Sequence, residues 1–238
     1  MDTNADVEMY ARSHPQFDDD IVPALLERYI SSKSFPTILD AGCGEGSLVR
    51  ALIKRSYVGE RVLACDASST RVAHLARERA PIHAFVDDVE ELKNVKSGSV
   101  DFFISSQVIE HVDDVRMLNA VARVTYPGSL IYLSTIQKRW YGWYFYRSKA
   151  GWALDPTHLR EYRSDEELFD RIDPKKFVVI ENQKTPLLFP IADFILRCMR
   201  EQNHDPFIYR RNALLKTLRK IAFPVIGYSM WELILERR

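Results

Sequence analysis

The sequence predicts an α/β fold, a mostly parallel sheet of short strands with helices on both faces. Three observations predict it. Short apolar runs alternate with amphipathic helical stretches through the first 135 residues, the order that builds a parallel sheet. Residues 38–46 read Ile-Leu-Asp-Ala-Gly-Cys-Gly-Glu-Gly, an apolar strand running into a glycine-rich turn. A second apolar run, Val62-Leu63-Ala64-Cys65, then ends in Asp66. At 238 residues the chain can bury a full core as one domain over 1–238.

The elements follow in order. A helix over 18–30 leads into a strand over 37–41, and a helix over 47–55 into a strand over 61–65. A helix over 68–79 precedes a strand over 82–86. A strand over 100–105, a helix over 114–125 and a strand over 130–135 continue the alternation, with a turn at Pro127-Gly128. Ser164 and Glu167 have the spacing of a capping box that opens another helix. Residues 177–181 and 230–235 read as the last two strands.

Two stretches exceed this alternation. Residues 136–160 are rich in aromatic and basic side chains, among them Trp140, Tyr141, Trp143, Tyr144, Trp152, Lys138 and Arg139. Residues 184–222 carry eight basic and three acidic side chains and two apolar stripes, one of them Ile191, Phe194, Ile195, Cys198 and Met199. Both are expected to form a helical cap on the domain. The cap is basic although the whole chain has a formal net charge of zero.

Composition excludes several classes. Zero net charge gives no electrostatic case for nucleic acid. Cys43, Cys65 and Cys198 are too few and too scattered for a disulfide framework or a structural zinc site. No signal peptide and no apolar run of about 18 residues is present, so a cytoplasmic protein is expected, with membrane-peripheral contact at the cap left open.

The glycine turn points to a nucleoside. Glycines let the backbone turn sharply and approach a ligand, and an acid at the end of the next strand can accept from both ribose hydroxyls. A dinucleotide fingerprint spaces its glycines Gly-x-Gly-x-x-Gly. Here the third glycine comes one residue early. Asp40 before the turn repels a pyrophosphate and suits an ammonium or sulfonium.

These residues resemble motif I of the class I S-adenosylmethionine (SAM)-dependent methyltransferases. The resemblance runs from about residue 10 to 163 and is strongest over 39–127. The closest pattern is that of ubiquinone-biosynthesis-type and related small-molecule O-methyltransferases. It implies a Rossmann-like sheet of seven strands, mostly parallel with an antiparallel final strand. It implies SAM as cofactor, held by Asp40, Gly42, Cys43, Gly44, Gly46, Asp66, Ala67, Asp88, Val89, Ser105 and Gln107. Arg12 is placed to pair with the methionine carboxylate, in a segment with His14 that covers the cofactor in relatives. Asp87 reads as a solvated neighbour of Asp88.

Some relatives carry Glu-x-x-Glu-His at the fourth turn and bind Mg²⁺ there. This chain has Gln107-Val108-Ile109-Glu110-His111, an amide in place of the first carboxylate, so no metal is expected. Residues 155–162, Asp-Pro-Thr-His-Leu-Arg-Glu-Tyr, resemble a segment lining the acceptor pocket. His158 is the expected base, with His111 and Tyr162 as further catalytic candidates. The leading expectation is methyl transfer to a hydroxyl oxygen of a small-molecule or lipid-like acceptor. N- or C-methylation, a NAD-binding oxidoreductase and a non-catalytic SAM-binding protein stay open as alternatives.

Overall fold

The computed structural model describes residues 7–9, 11, 20–77, 81–144, 146–148, 151–155, 157–193 and 212–238. Helix α1 (Ala24–Ile30) leads into β1 (Thr37–Ala41), and α2 (Ser47–Lys54) into β2 (Arg61–Asp66). Helix α3 (Ser69–Ala76) is followed by β3 (Ile82–Val86) and β4 (Val100–Ser106). A single 3₁₀ turn (Ile109–His111) precedes α4 (Asp114–Val124) and β5 (Thr125–Lys138). A short hairpin, β6 (Tyr146–Ser148) and β7 (Gly151–Ala153), interrupts the path to α5 (Asp165–Phe169). The chain closes with β8 (Phe177–Pro190), α6 (Ala213–Arg219) and β9 (Ala222–Arg237).

Seven strands form one sheet in the order β3-β2-β1-β4-β5-β9-β8. β1 to β5 pair in parallel, and β9 runs antiparallel to both of its neighbours. The strand order reverses between β1 and β4. A crevice opens outside the carboxyl ends of strands at such a switch point. Asp40, the glycine turn, Asp66 and Gln107 all sit at those ends.

Period-two alternation sets the two faces of the sheet. Ile38, Phe102, Ile104 and Tyr132 pack with Leu25, Leu26, Ile30 and Leu52 on one side. Leu39, Leu63, Phe103, Ile131 and Leu133 pack with Met117, Leu118 and Val121 on the other. Short polar side chains start the helices: Ser68 Oγ accepts from Arg71 N–H at 3.2 Å and Asp113 Oδ1 from Arg116 N–H at 2.9 Å. The predicted capping box forms in part. Ser164 Oγ accepts from Glu167 N–H, but Glu167 reaches back to the amide of Arg163, one residue early.

The largest departure from expectation is the final hairpin. Its strands were expected over 177–181 and 230–235, but they extend to Pro190 and back to Ala222. The polar run Asn182-Gln183-Lys184-Thr185 hid the extension. An edge strand tolerates such residues because one flank faces solvent. Pro186 is tolerated there for the same reason, beside a register shift at 186–188. Both expected cap stretches therefore begin inside the sheet: 136–138 belongs to β5 and 184–190 to β8. Most of the stripe over 191–199, with Arg12 and His14, lies outside the described residues. Pro127-Gly128 falls within β5, in the irregular stretch between its two blocks of pairing with β4.

Trp231 anchors this half of the sheet. It is fully buried, edge-on to Phe169 and Tyr162, with the Lys184 ammonium 4.3 Å from its ring centroid. Trp231→Ala is expected to cost about 3–5 kcal/mol, because the cavity it leaves cannot collapse between two strands. A urea titration followed by circular dichroism checks this. A midpoint equal to wild type would exclude Trp231 as an anchor.

Candidate active site

The glycine turn is held by one carboxylate. Asp66 ends β2, and its Oδ2 accepts from Gly44 N–H at 2.9 Å while Oδ1 accepts from Ser68 N–H at 2.9 Å. The turn is held to β2 a second time, by Gly42 and Cys43 amides donating to the Cys65 carbonyl at 2.8 and 2.9 Å. Gly42, Gly44 and Gly46 all have positive φ, at 75°, 55° and 80°. A Cβ on Gly42 would lie 2.4 Å from Val108 Cγ2, and one on Gly46 2.6 Å from Leu75 Cδ1. Glycine is therefore required there by both dihedral and space.

Asp40 lies beneath the turn, 2% exposed, with Oδ2 buried and without a hydrogen-bond partner. Burial, and then the charge of Asp66, push its carboxyl up to about 7. An orphaned buried carboxylate oxygen beside a bare glycine turn is what a cationic ligand requires. Cys43 is buried in the turn, and burial first, then the charge of Asp40, raises its thiol well above the ordinary range, so it is no nucleophile.

Other expected cofactor residues divide. Asp88 is exposed after β3, where its Oδ1 accepts from Glu90 N–H at 2.9 Å, and Val89 is buried beside it. Ala67 is exposed in the turn after Asp66. Asp87 is not solvated as expected. It is buried and accepts from the amides of Asp88, Lys93 and Asn94, so it shapes the loop that presents Asp88. The Ser105 hydroxyl is committed to the Ala41 carbonyl at 2.8 Å, a clamp between β4 and β1. Gln107 has φ of 58°, and its side-chain amide donates to Met230 Sδ at 3.2 Å.

A second cluster lies after β4. Segment 155–162 runs back along β5: Lys138 N–H donates to the Tyr162 carbonyl at 2.8 Å, and Leu159 N–H to the Glu110 carbonyl at 2.9 Å. This brings His158 against His111, ring centroids 4.7 Å apart and nearly perpendicular. His158 Nδ1 lies 3.0 Å from Glu161 Oε1. Glu161 also accepts from Leu154 N–H and the Tyr228 hydroxyl and pairs with Lys138 at 3.2 Å. Burial alone would raise the Glu161 carboxyl. The His158 contact, the Leu154 amide and Lys138 outweigh it and hold the group below its ordinary value, ionised.

Glu110 is fully buried. Its Oε2 accepts from the Thr135 hydroxyl at 3.0 Å, and its Oε1 has no hydrogen-bond partner. Burial pushes its carboxyl up to about 7, against the opposing pull of His158. Glu110, His111 and His158 each offer a ligand atom within 4.8 Å of the others, a grouping that the amide at Gln107 alone did not foretell. Sequence spacing could not find it, because His158 comes 47 positions after His111.

Tyr162, a catalytic candidate from sequence, packs in the core instead. It is 2% exposed and its hydroxyl donates to Asp114 Oδ2 at 3.1 Å. Burial first, then the Asp114 charge, raises the phenol far above its ordinary range. It holds segment 155–162 in place and cannot serve as a proton acceptor.

The sheet order, the glycine turn and the acid after β2 have the layout of a nucleoside-binding site. Residues 39–133 match the family described as a methyltransferase domain. The match covers less than half of the chain. A ubiquinone biosynthesis O-methyltransferase of Bartonella tribocorum is 31% identical over 113 residues, 45% of this chain and 44% of the relative. A probable SAM-dependent methyltransferase of Mycobacterium tuberculosis is 30% identical over 130 residues, 54% of this chain and 44% of the relative. The chain thus matches less than half the length of these curated relatives. In fold it is similar to a geranyl diphosphate C-methyltransferase from Streptomyces coelicolor A3(2), at TM-score 0.59 and 14% identity over 100% of this chain and 99% of that one. It is also similar to the [4+2]-cyclase SpnF, at TM-score 0.63 and 15% identity over 99% and 95%. A shared fold does not fix the reaction.

Two expectations follow. Asp66→Asn should weaken SAM at least about tenfold, since charge-assisted bonds to hydroxyls are worth about 1.5–3 kcal/mol each. Asparagine is the variant of choice because Asp66 also holds the turn. Calorimetry measures it, and unchanged affinity would remove Asp66 from the ribose. Asp40 sets the pH dependence. Its ionised form attracts a cationic ligand, and its carboxyl stands at about 7 before ligand binds. Affinity for SAM should therefore rise from about pH 5.5 to about pH 7, up to tenfold per unit. The stability of the ligand-free protein moves the other way, because a raised carboxyl pKa favours the fold below that range. A flat affinity profile over the same range would show that Asp40 does not face the ligand's positive charge.

Proposed function

We propose that the chain transfers the methyl group of SAM to a hydroxyl oxygen of a small-molecule or lipid-like acceptor. The carrying observation is the His158–Glu161 pair, on the segment that bonds the turn after β4. An oxygen nucleophile must shed a proton, and an imidazole backed by an ionised carboxylate can accept one. SAM supplies the electrophilic methyl, so the protein need only orient the acceptor, exclude water and accept the proton. Asp40, the glycine turn, Asp66 and Asp88 hold the cofactor on this reading, and His158 is the base. The similarity to ubiquinone biosynthesis O-methyltransferases over the cofactor half supports oxygen over nitrogen or carbon.

Methyl transfer from labelled SAM into cell extract, followed by isolation of the labelled product, tests the reading. His158→Ala should lower turnover about 10²–10⁴-fold while SAM affinity stays near wild type. EDTA should leave the wild-type rate unchanged, as the Gln107 amide implies. Wild-type turnover in the variant would end the role of His158 as base.

The acceptor enters, on this proposal, beside residues 136–160 and the described part of 184–222. Trp140, Tyr141, Trp143 and Trp152 are exposed there, as are Leu188, Leu214, Phe223 and Ile226. Basic side chains at Arg139, Lys216 and Lys220 accompany them. Apolar and cationic groups together favour an anionic membrane interface. No described helix is long and apolar enough to cross a membrane. Co-sedimentation should show binding to anionic vesicles that weakens as salt rises and no binding to neutral ones. Absence of binding at low salt would confine the cap to soluble acceptors.

A further inference from the structure

Helix α3 opens beside Asp66, and its first turn is capped by three side chains. The four amides at the start of a helix have no partner within it. In α3 they are divided among Asp66, Ser68 and Glu8. Ser68 N–H donates to Asp66 Oδ1 at 2.9 Å, and Arg71 N–H to Ser68 Oγ at 3.2 Å. The two amides between them reach Glu8, on the helical residues 7–9 near the start of the chain. Ser69 N–H donates to Glu8 Oε1 at 2.6 Å and Thr70 N–H to the same oxygen at 3.4 Å. Glu8 also receives the Ser69 hydroxyl on Oε1 at 2.9 Å and the Ser68 hydroxyl on Oε2 at 3.1 Å.

Donors converging on one carboxylate make charge-assisted hydrogen bonds, and a helix N-terminus favours the negative charge they meet. The Thr70 side chain first, then the Ser69 and Ser68 hydroxyls and the Ser69 amide, hold the Glu8 carboxyl down to about 2 against the effect of burial, so it is ionised at neutral pH. Ser68 is the hub. It is fully buried, its hydroxyl proton goes to Glu8, its hydroxyl oxygen receives the Arg71 amide, and its own amide goes to Asp66. Glu8 and Asp66 therefore share one capped turn, with Ser68 between them. Without Glu8, the Ser69 and Thr70 amides lose their acceptor, and Asp66 is the carboxylate already bonded to that turn. It is then drawn into the cap and away from the crevice.

We propose that Glu8 is a positioning residue that, through Ser68 and the first turn of α3, aims the Asp66 carboxylate at the ribose hydroxyls of a bound nucleoside. Preference for ribose over deoxyribose then depends on a side chain of the N-terminal segment. The ribose part rests on the cofactor reading above. The clasp between Glu8 and α3 does not.

Amide exchange with water, read by NMR on the ligand-free protein, tests the clasp. Glu8→Ala should quicken exchange at Ser69 and Thr70 at least about threefold, the loss of one net hydrogen bond. Gly42, whose amide is held by the Cys65 carbonyl, should keep its rate. Unchanged rates at Ser69 and Thr70 overturn the proposal. Calorimetry with S-adenosylhomocysteine and with its 2′-deoxyribose analogue tests the aim. Wild type should prefer the ribose compound at least about tenfold, as a charge-assisted bond to a hydroxyl implies. Glu8→Ala should reduce that preference to about threefold or less, with affinity for the deoxy analogue within about threefold of wild type. Glu8→Gln keeps the reach and one acceptor oxygen and should lie between the two, and it gives the same comparison should the alanine variant fail to fold. A merely structural role would weaken both ligands alike, so a wild-type ratio in Glu8→Ala overturns the aiming of Asp66. Equal affinities for the two compounds in wild type overturn it as well. Exchange that quickens as expected in a protein that binds neither compound supports the clasp and refutes the nucleoside reading on which the aiming rests.

Discussion

The Asp66 carboxylate is the constraint on which the candidate cofactor site depends. It accepts one amide from the glycine turn and one from the start of the loop into α3. Two crossings of the sheet are thereby joined at one side chain, at the point where strand order reverses. Each carboxylate oxygen retains a lone pair after that bond. The same residue can therefore hold the scaffold and still accept from a ligand. This explains why the turn keeps three left-handed residues without side chains to brace it: the bracing comes from the neighbouring strand.

Most of the sheet was legible because a parallel strand buried on both faces must be continuously apolar, and a covering helix must carry a stripe. β1, β2, β4 and the helices between them satisfy both demands, and their bounds lie within three residues of expectation. The final hairpin was not legible over its full length. At an edge the physical demand is weaker: one neighbour suffices for the ladder, polar side chains face water at no cost, and a proline loses no bond on its open flank. Asn182 to Pro186 use all three freedoms, so pattern alone cannot distinguish that strand from a polar connection.

The site divides along the same line. Asp40, the glycines and Asp66 lie within one strand-turn-helix-strand unit, so their spacing encodes their geometry. The second cluster does not obey spacing. Glu110 and His111 follow β4, whereas Asp155, Thr157, His158 and Glu161 reach them only because segment 155–162 returns along β5. Tyr162 shows the hazard of reading such a segment as a list of candidates. Four residues from His158, it points into the core, where Asp114 receives its hydroxyl. Asp87 and Asp88 show the same in miniature, since one of two adjacent acids builds the loop and the other is presented by it.

Electrostatics ties the two clusters together. Asp40 lies close to Asp66 at the glycine turn, while Glu110, Asp155 and Glu161 act on the two imidazoles, with Lys138 paired to Glu161. Burial raises two of these acids toward neutrality, Asp40 and Glu110, and each keeps one oxygen without a hydrogen bond. Such orphaned oxygens cost stability unless a donor or cation arrives. On the proposed reading they are tolerated because the pocket binds positive charge and receives protons, and they would oppose entry of an acceptor whose reacting end is anionic. On that reading the basic side chains of the expected cap act outside the reacting centre. A negatively charged part of an acceptor can be held at the rim, while the group that enters the crevice is favoured when it is neutral and has a proton to give.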